Sequence, residues 1–197
     1  MKVINFMKSN SKNIVSYDQE NLIIVDFEDN EIGNLSKLEC HENKGVLHRA
    51  FSIFLFNTNG QLLIQKRSSQ KKLWPLFWSN TCCSHPRKGE EIMDAAYRRL
   101  SDELGIKKVT LEYVYKFSYT AEYKNIGSEN ELCSVFLGEI DEELDINENE
   151  ISLVKYINTH DLLGKMENTN EFTPWFEMEW HTLSTSHQKT LRQYTNL

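Results

Sequence analysis

The sequence predicts an α/β (α+β) fold, a mixed β-sheet flanked by helices in one compact domain spanning residues 1–197. Three observations carry this. A chain of 197 residues can bury one substantial core and is short for two. Its strand-like and helix-like runs interleave along the sequence, and short turn signals dominate between the strands, which favours a sheet with helical cover over a bundle or a sandwich.

Taken in order, "NLIIVDFEDNEIG" reads as a strand running into a turn. "HRAFSIFLFNTNGQLLIQKR" is the clearest hairpin, with Asn59-Gly60 between two β-rich runs. "GEEIMDAAYRRLSDELGI" reads as a helix, because Ile92, Ala96, Leu100 and Leu104 recur at every fourth position and Gly105 is a natural stop. Two strands follow in "VTLEYVYKFSYTAEY" and "ELCSVFLGEI"; the acidic "DEELDINENE" reads as a solvated loop before a further strand, "ISLVKYIN". The tail beginning "FTPWFEMEW" opens a helix with Thr173 as N-cap and Pro174 at the first helical position.

Composition removes several classes. The apolar fraction of 40% and charged fraction of 26% are those of an ordinary folded protein. A net charge of −7 argues against nucleic acid as a partner. The longest apolar run, "AFSIFLF", is too short to span a bilayer, and "MKVINFMKSNSKN" lacks the apolar stretch of a secretory signal. Of the four cysteines, Cys40, Cys82, Cys83 and Cys133, two are adjacent and badly placed for a staple. These features together predict a cytoplasmic protein, with a monomer the simplest assembly and a small molecule as partner.

The chemistry-bearing stretches are few. In the helix, Arg98, Arg99, Asp102 and Glu103 crowd the turns before Gly105. Their order resembles the Nudix signature, whose clustered carboxylates hold divalent cations against a diphosphate. Glu90, Arg98, Leu100, Glu103, Gly105 and Ile106 fit it; Ser84 replaces the first Gly, and Arg99 and Asp102 each replace a Glu. Replacing a carboxylate by Arg99 weakens a hydrolytic metal site and adds a phosphate-binding charge. His41 and His48 in "HENKGVLH", His85 in "WSNTCCSHP", and Glu129 and Glu131 in "SENELC" supply five N and O donors. The Glu-x-Glu spacing puts both carboxylates on one face of a strand. Such a donor set suits six-coordinate Mn²⁺ or Mg²⁺, with Zn²⁺ as a further candidate. No second C-x-x-C pairs with Cys82 or Cys83, so the adjacent cysteines are not a zinc knuckle.

The order His41, His48, "LWPLFWSNTCCSHP", "RRLSDELG", "ENE" and "TPW" resembles the type I isopentenyl-diphosphate isomerase family, from about residue 35 to residue 180. Residues 1–34 then form an N-terminal extension. The resemblance implies a Nudix-like fold and interconversion of isopentenyl and dimethylallyl diphosphate through a tertiary carbocation. It assigns Cys83 and Glu131 as the acid–base pair, Tyr119 as a relay partner of Glu131, and Trp180 as the indole over the prenyl group. Trp74, Trp78 and Trp175 are left to an aromatic core. It further implies Lys37, Arg67, Lys71 and Arg99 as diphosphate ligands and His41, His48, His85, Glu129 and Glu131 as a metal site. Glu103 would hold a second ion, a Mg²⁺ arriving with the diphosphate. A Nudix pyrophosphohydrolase acting on a nucleoside diphosphate derivative is the alternative; it leaves Cys83 and His85 without a role.

Overall fold

The computed structural model describes residues 13–160 and 162–195. Among these, the elements are β1 (Asn21–Val25), β2 (Glu31–Ser36), α1 (Lys37–His41), β3 (His48–Phe56), β4 (Gln61–Arg67), β5 (Trp78–Ser79), β6 (Cys82–Ser84) and α2 (Ile92–Leu104). They continue with β7 (Glu112–Tyr123), β8 (Gly127–Glu139), β9 (Ile151–Asn158), α3 (Leu162–Asn168), α4 (Pro174–Ser186) and α5 (Gln188–Leu191).

All the strands belong to one mixed sheet organised around β3. One edge of β3 carries β8 in parallel along its whole length, from His48↔Glu131 to Phe56↔Glu139. The other edge is shared in turn by β1 at His48, β6 at Phe51–Ile53, and β4 at Leu55 and Phe56. The expected Asn59-Gly60 hairpin is present, with Gly60 at φ 70°. It is shorter than its sequence suggests: β4 pairs β3 for only two residues before pairing β5, β9 lies along its other edge throughout, and β6 takes the edge of β3 that β4 leaves.

Alternation along β3 divides the apolar residues into two cores. Ala50, Phe54 and Phe56 face a layer built with Trp175, Phe176, Trp180 and Leu183 of α4. Phe51, Ile53 and Leu55 face Ala95, Ala96, Leu100 and Leu104 of α2. α2 ends as its sequence predicts, at Gly105 with φ 72°, a backbone region where glycine carries no Cβ penalty. α4 begins at Pro174 after Thr173, whose hydroxyl lies 3.0 Å from that of Ser79 instead of capping the helix.

The acidic stretch before β9 departs from expectation. Leu144, Asn147 and Glu150 are buried, and the segment is pinned by hydrogen bonds from the backbone N–H groups of Asp145 and Asn147 to the carbonyls of Leu104 and Glu103. Its charge is directed partly inward, where Arg99 meets it. No helix among the described residues is long and apolar enough to cross a membrane.

Candidate active site

The site forms at the start of β3, where one cross-strand pair already sets two of its donors side by side: His48 opposite Glu131. His41 arrives from α1, a single turn fixed by a Ser36–Glu39 capping box. His85 follows β6, and Glu129 precedes Glu131 on the same face of β8. The five ligand atoms lie within 4.8 Å of one another, and all five residues are buried. The three imidazole centroids form a triangle of 4.7, 4.9 and 5.1 Å.

The tautomers follow from the hydrogen bonds. Nδ1 of His41 lies 2.6 Å from the Lys37 carbonyl, and Nδ1 of His48 lies 2.7 Å from the Val46 carbonyl. A carbonyl only accepts, so in both rings Nδ1 carries the proton and Nε2 presents its lone pair to the cluster. Nε2 of His48 is completely buried without a hydrogen-bond partner. A buried nitrogen lone pair left open among four other donors is what a bound cation would satisfy. Burial, reinforced by the neighbouring rings, keeps two of these histidines neutral: His48 is pulled down to about 4 and His85 well below its usual range. His41 goes the other way, because Glu129, 2.8 Å from its Nε2, raises it against the effect of burial. Three imidazoles with two carboxylates and no thiolate fit a divalent ion.

The adjoining cavity, of about 320 Å³, is lined by Cys83, Glu131, Tyr119 and Trp175 together with the cationic Lys37, Arg67, Lys71 and Arg99. Glu131 accepts hydrogen bonds from the Tyr119 hydroxyl (2.7 Å) and, at its other oxygen, lies 2.8 Å from His85 Nε2. Burial and the adjacent Glu129 charge raise its carboxyl well above the ordinary range. Burial likewise pushes the Cys83 thiol up to about 12, against the pull of Arg67. Cys83 is therefore a neutral thiol at neutral pH. Its neighbour Cys82 points to the opposite core, where its sulfur lies 3.5 Å from Glu103.

Two expected site residues stand elsewhere. Trp180 does not line the cavity; it is 1% exposed and stacks on Phe54 in the core at 6.3 Å. The indole that does line it is Trp175, held by Nε1–H donation to Ser79 (3.1 Å) and crossed by the Arg67 guanidinium at 5.2 Å. Glu103 is 2% exposed and occupied by Arg99, whose Nε donates to it at 2.9 Å, so it is not part of the five-donor cluster. Residues that sequence reasoning missed include Ile14, Ser16 and Asp18, which line the cavity, and Val15, whose carbonyl accepts from Arg99 Nη1 at 2.9 Å. Nothing in "NIVSYD" signals this, because the contacts are largely made by backbone.

The sheet, the helix α2 and the donor cluster at their junction define a Nudix-domain protein, and the NUDIX domain model matches residues 46–176. The structure of DR0079 from Deinococcus radiodurans superimposes with a TM-score of 0.69 at 19% identity, covering 82% of this chain and 98% of that one. Isopentenyl-diphosphate Delta-isomerase 1 of Photorhabdus laumondii is 43% identical over 170 residues, 85% of this chain and 97% of that protein. The isopentenyl-diphosphate Delta-isomerase of Pectobacterium atrosepticum is 39% identical over 80% of this chain and 87% of its own length. The chain belongs to the isopentenyl-diphosphate Delta-isomerase family of the Nudix superfamily.

Proposed function

We infer that the protein converts isopentenyl diphosphate to dimethylallyl diphosphate. The observation that carries this, beyond family membership, is that Cys83 and Glu131 line one cavity together with Lys37, Arg67, Lys71 and Arg99. The reaction adds a proton to the terminal methylene of the substrate and removes one from the methylene on the far side of the branched carbon. Both steps need groups that exchange protons in a site closed to water. Cys83 and Glu131 are those groups. Tyr119, donating to Glu131, steadies its carboxylate when the proton has left and can pass a proton on.

Between the two steps the branched carbon bears positive charge. The face of Trp175 stabilises it through the ring quadrupole, and the same ring already receives the Arg67 guanidinium. Lys37, Arg67, Lys71 and Arg99 hold the diphosphate through charge-assisted hydrogen bonds. His41, His48, His85, Glu129 and Glu131 would hold Mn²⁺ or Mg²⁺, with Zn²⁺ also compatible with the donors; the ion would fix Glu131 and lower the cost of its charge. The Mg²⁺ expected on Glu103 draws no support from a carboxylate committed to Arg99. The pyrophosphohydrolase alternative is disfavoured on the same helix, where Arg99 stands in place of a signature Glu and binds Glu103.

Proton NMR of isopentenyl diphosphate with the protein and Mg²⁺ in D₂O tests the assignment. Deuterated dimethylallyl diphosphate should accumulate with the wild type and should be abolished, or slowed at least about a thousandfold, in Cys83→Ser. An unchanged spectrum from folded, metal-loaded wild type would defeat the isomerase; release of inorganic phosphate from a nucleoside diphosphate derivative would put the hydrolase in its place.

A further inference from the structure

Glu150 lies in the acidic stretch immediately before β9, and its side chain lines the cavity although the residue is only 3% exposed. One of its oxygens, Oε2, serves two cations: it forms an ion pair with Lys71 Nζ and lies 3.1 Å from Arg99 Nη2. Its backbone is equally committed. The Glu150 N–H donates to the Asn147 carbonyl, and its own carbonyl accepts from Ser68 N–H, both at 2.9 Å. The second bond ties Glu150 to the segment that carries Lys71. Arg99 is meanwhile held by Glu103 at Nε and by the Val15 carbonyl at Nη1.

We propose that Glu150 is a positioning residue for the diphosphate: a single carboxylate oxygen shared by Lys71 and Arg99 fixes the spacing of two cations that grip the two phosphoryl groups together. The proposal rests on reading Lys37, Arg67, Lys71 and Arg99 as the diphosphate subsite. Two cations side by side repel, and a lysine stem loses rotamer freedom when it is immobilised. The shared anion offsets both costs before substrate arrives, which is preorganisation. A carboxylate could instead compete with the diphosphate for the same cations. Such a competitor must withdraw into water when substrate binds, and Glu150 is buried and anchored through its backbone on both sides. The diphosphate therefore joins the Lys71–Glu150–Arg99 assembly and does not replace its carboxylate.

The test is calorimetric binding of inorganic pyrophosphate and of orthophosphate, with Mg²⁺, to the wild type, E150Q, K71A and K71A/E150Q, alongside steady-state kinetics. In E150Q, pyrophosphate should bind at least about fivefold more weakly and orthophosphate less than about twofold, with KM raised and kcat within about threefold. In the K71A background, E150Q should add less than about twofold, because its effect runs through Lys71. A merely structural role would lower kcat and weaken both anions alike. Pyrophosphate binding to E150Q as tight as, or tighter than, to the wild type overturns the proposal and leaves the diphosphate subsite standing. Wild type that binds no pyrophosphate removes the subsite, and the proposal with it. If E150Q does not fold, E150D keeps the charge but draws the oxygen back by one methylene, and carries the same comparison with a smaller expected loss.

Discussion

Glu179 of α4 is 0% exposed, with one carboxyl oxygen 3.6 Å from the Cys133 sulfur and the other without a partner. Burial raises its carboxyl to about 8, against the hydrogen bonds of Ser52 and Cys133. The folded state therefore keeps a proton that the unfolded chain releases near the ordinary carboxylate value, so stability falls as pH rises from about 4.5 towards 8. Comparing Glu179→Gln with the wild type by denaturant titration should show the wild type losing roughly 3 kcal/mol more between pH 5 and pH 8; parallel profiles would mean Glu179 is not the buried acid. A second residue-scale prediction separates the two indoles of α4. Trp175→Phe should lower kcat/KM about tenfold, a loss of about 1.4 kcal/mol from the weaker ring quadrupole. Trp180→Phe should leave kcat/KM within about threefold while costing roughly 1–2 kcal/mol of stability by chemical denaturation. The sequence alone does not separate the two indoles, because both lie in one apolar-rich helix; the structure places Trp175 on the cavity and packs Trp180 on Phe54. At about 100° per residue they point some 140° apart, and only Trp175 lines the cavity. Thr173-Pro174, which fixes the helix start, was the signal that Trp175 opens the first turn nearest the cavity.

At the scale of elements, the donor cluster depends on how closely α1 approaches β8. A Cβ on Gly127 would clash with the His41 backbone carbonyl, so only glycine admits this packing. Gly127→Ala should destabilise the fold by roughly 2 kcal/mol or more and weaken Mn²⁺ binding measured by calorimetry; unaltered metal affinity would show that His41 does not depend on this contact. Helix α2, the strands of β7 to β9 and the N-terminus of α4 were all legible from periodicity, glycine and proline. The parallel β3–β8 pair was not, because its register joins segments far apart in the chain and leaves no local signature. β6 was also invisible: three residues are too few for alternation to register, yet they place both Cys83 and the approach to His85. Glu150 was concealed differently, in a stretch whose composition is that of a solvated loop. Its burial depends on Arg99 and Lys71, which no local pattern connects to it.

For the whole molecule, the ion is also a fastener. The five donors come from α1, β3, the segment after β6, and β8, so an ion bound to the folded state alone links four parts of the chain. At a concentration a hundred times Kd it should add about 2.7 kcal/mol to stability. Chelation should accordingly lower the melting temperature of the wild type, and His48→Asn should show little further fall on chelation; an equal fall in both would place the stabilising ion elsewhere. The central sheet, finally, has a use at the bench. Cys82 and Cys83 are chain neighbours that alternation sends to opposite sides of it, and of the four cysteines only Cys83 is not fully buried. In folded protein a thiol-reactive label should enter slowly and at one sulfur, with Cys82 as a built-in blank beside it. The mass of a single adduct, chased with and without inorganic pyrophosphate, would then report cavity occupancy in a protein whose turnover need not be followed at all.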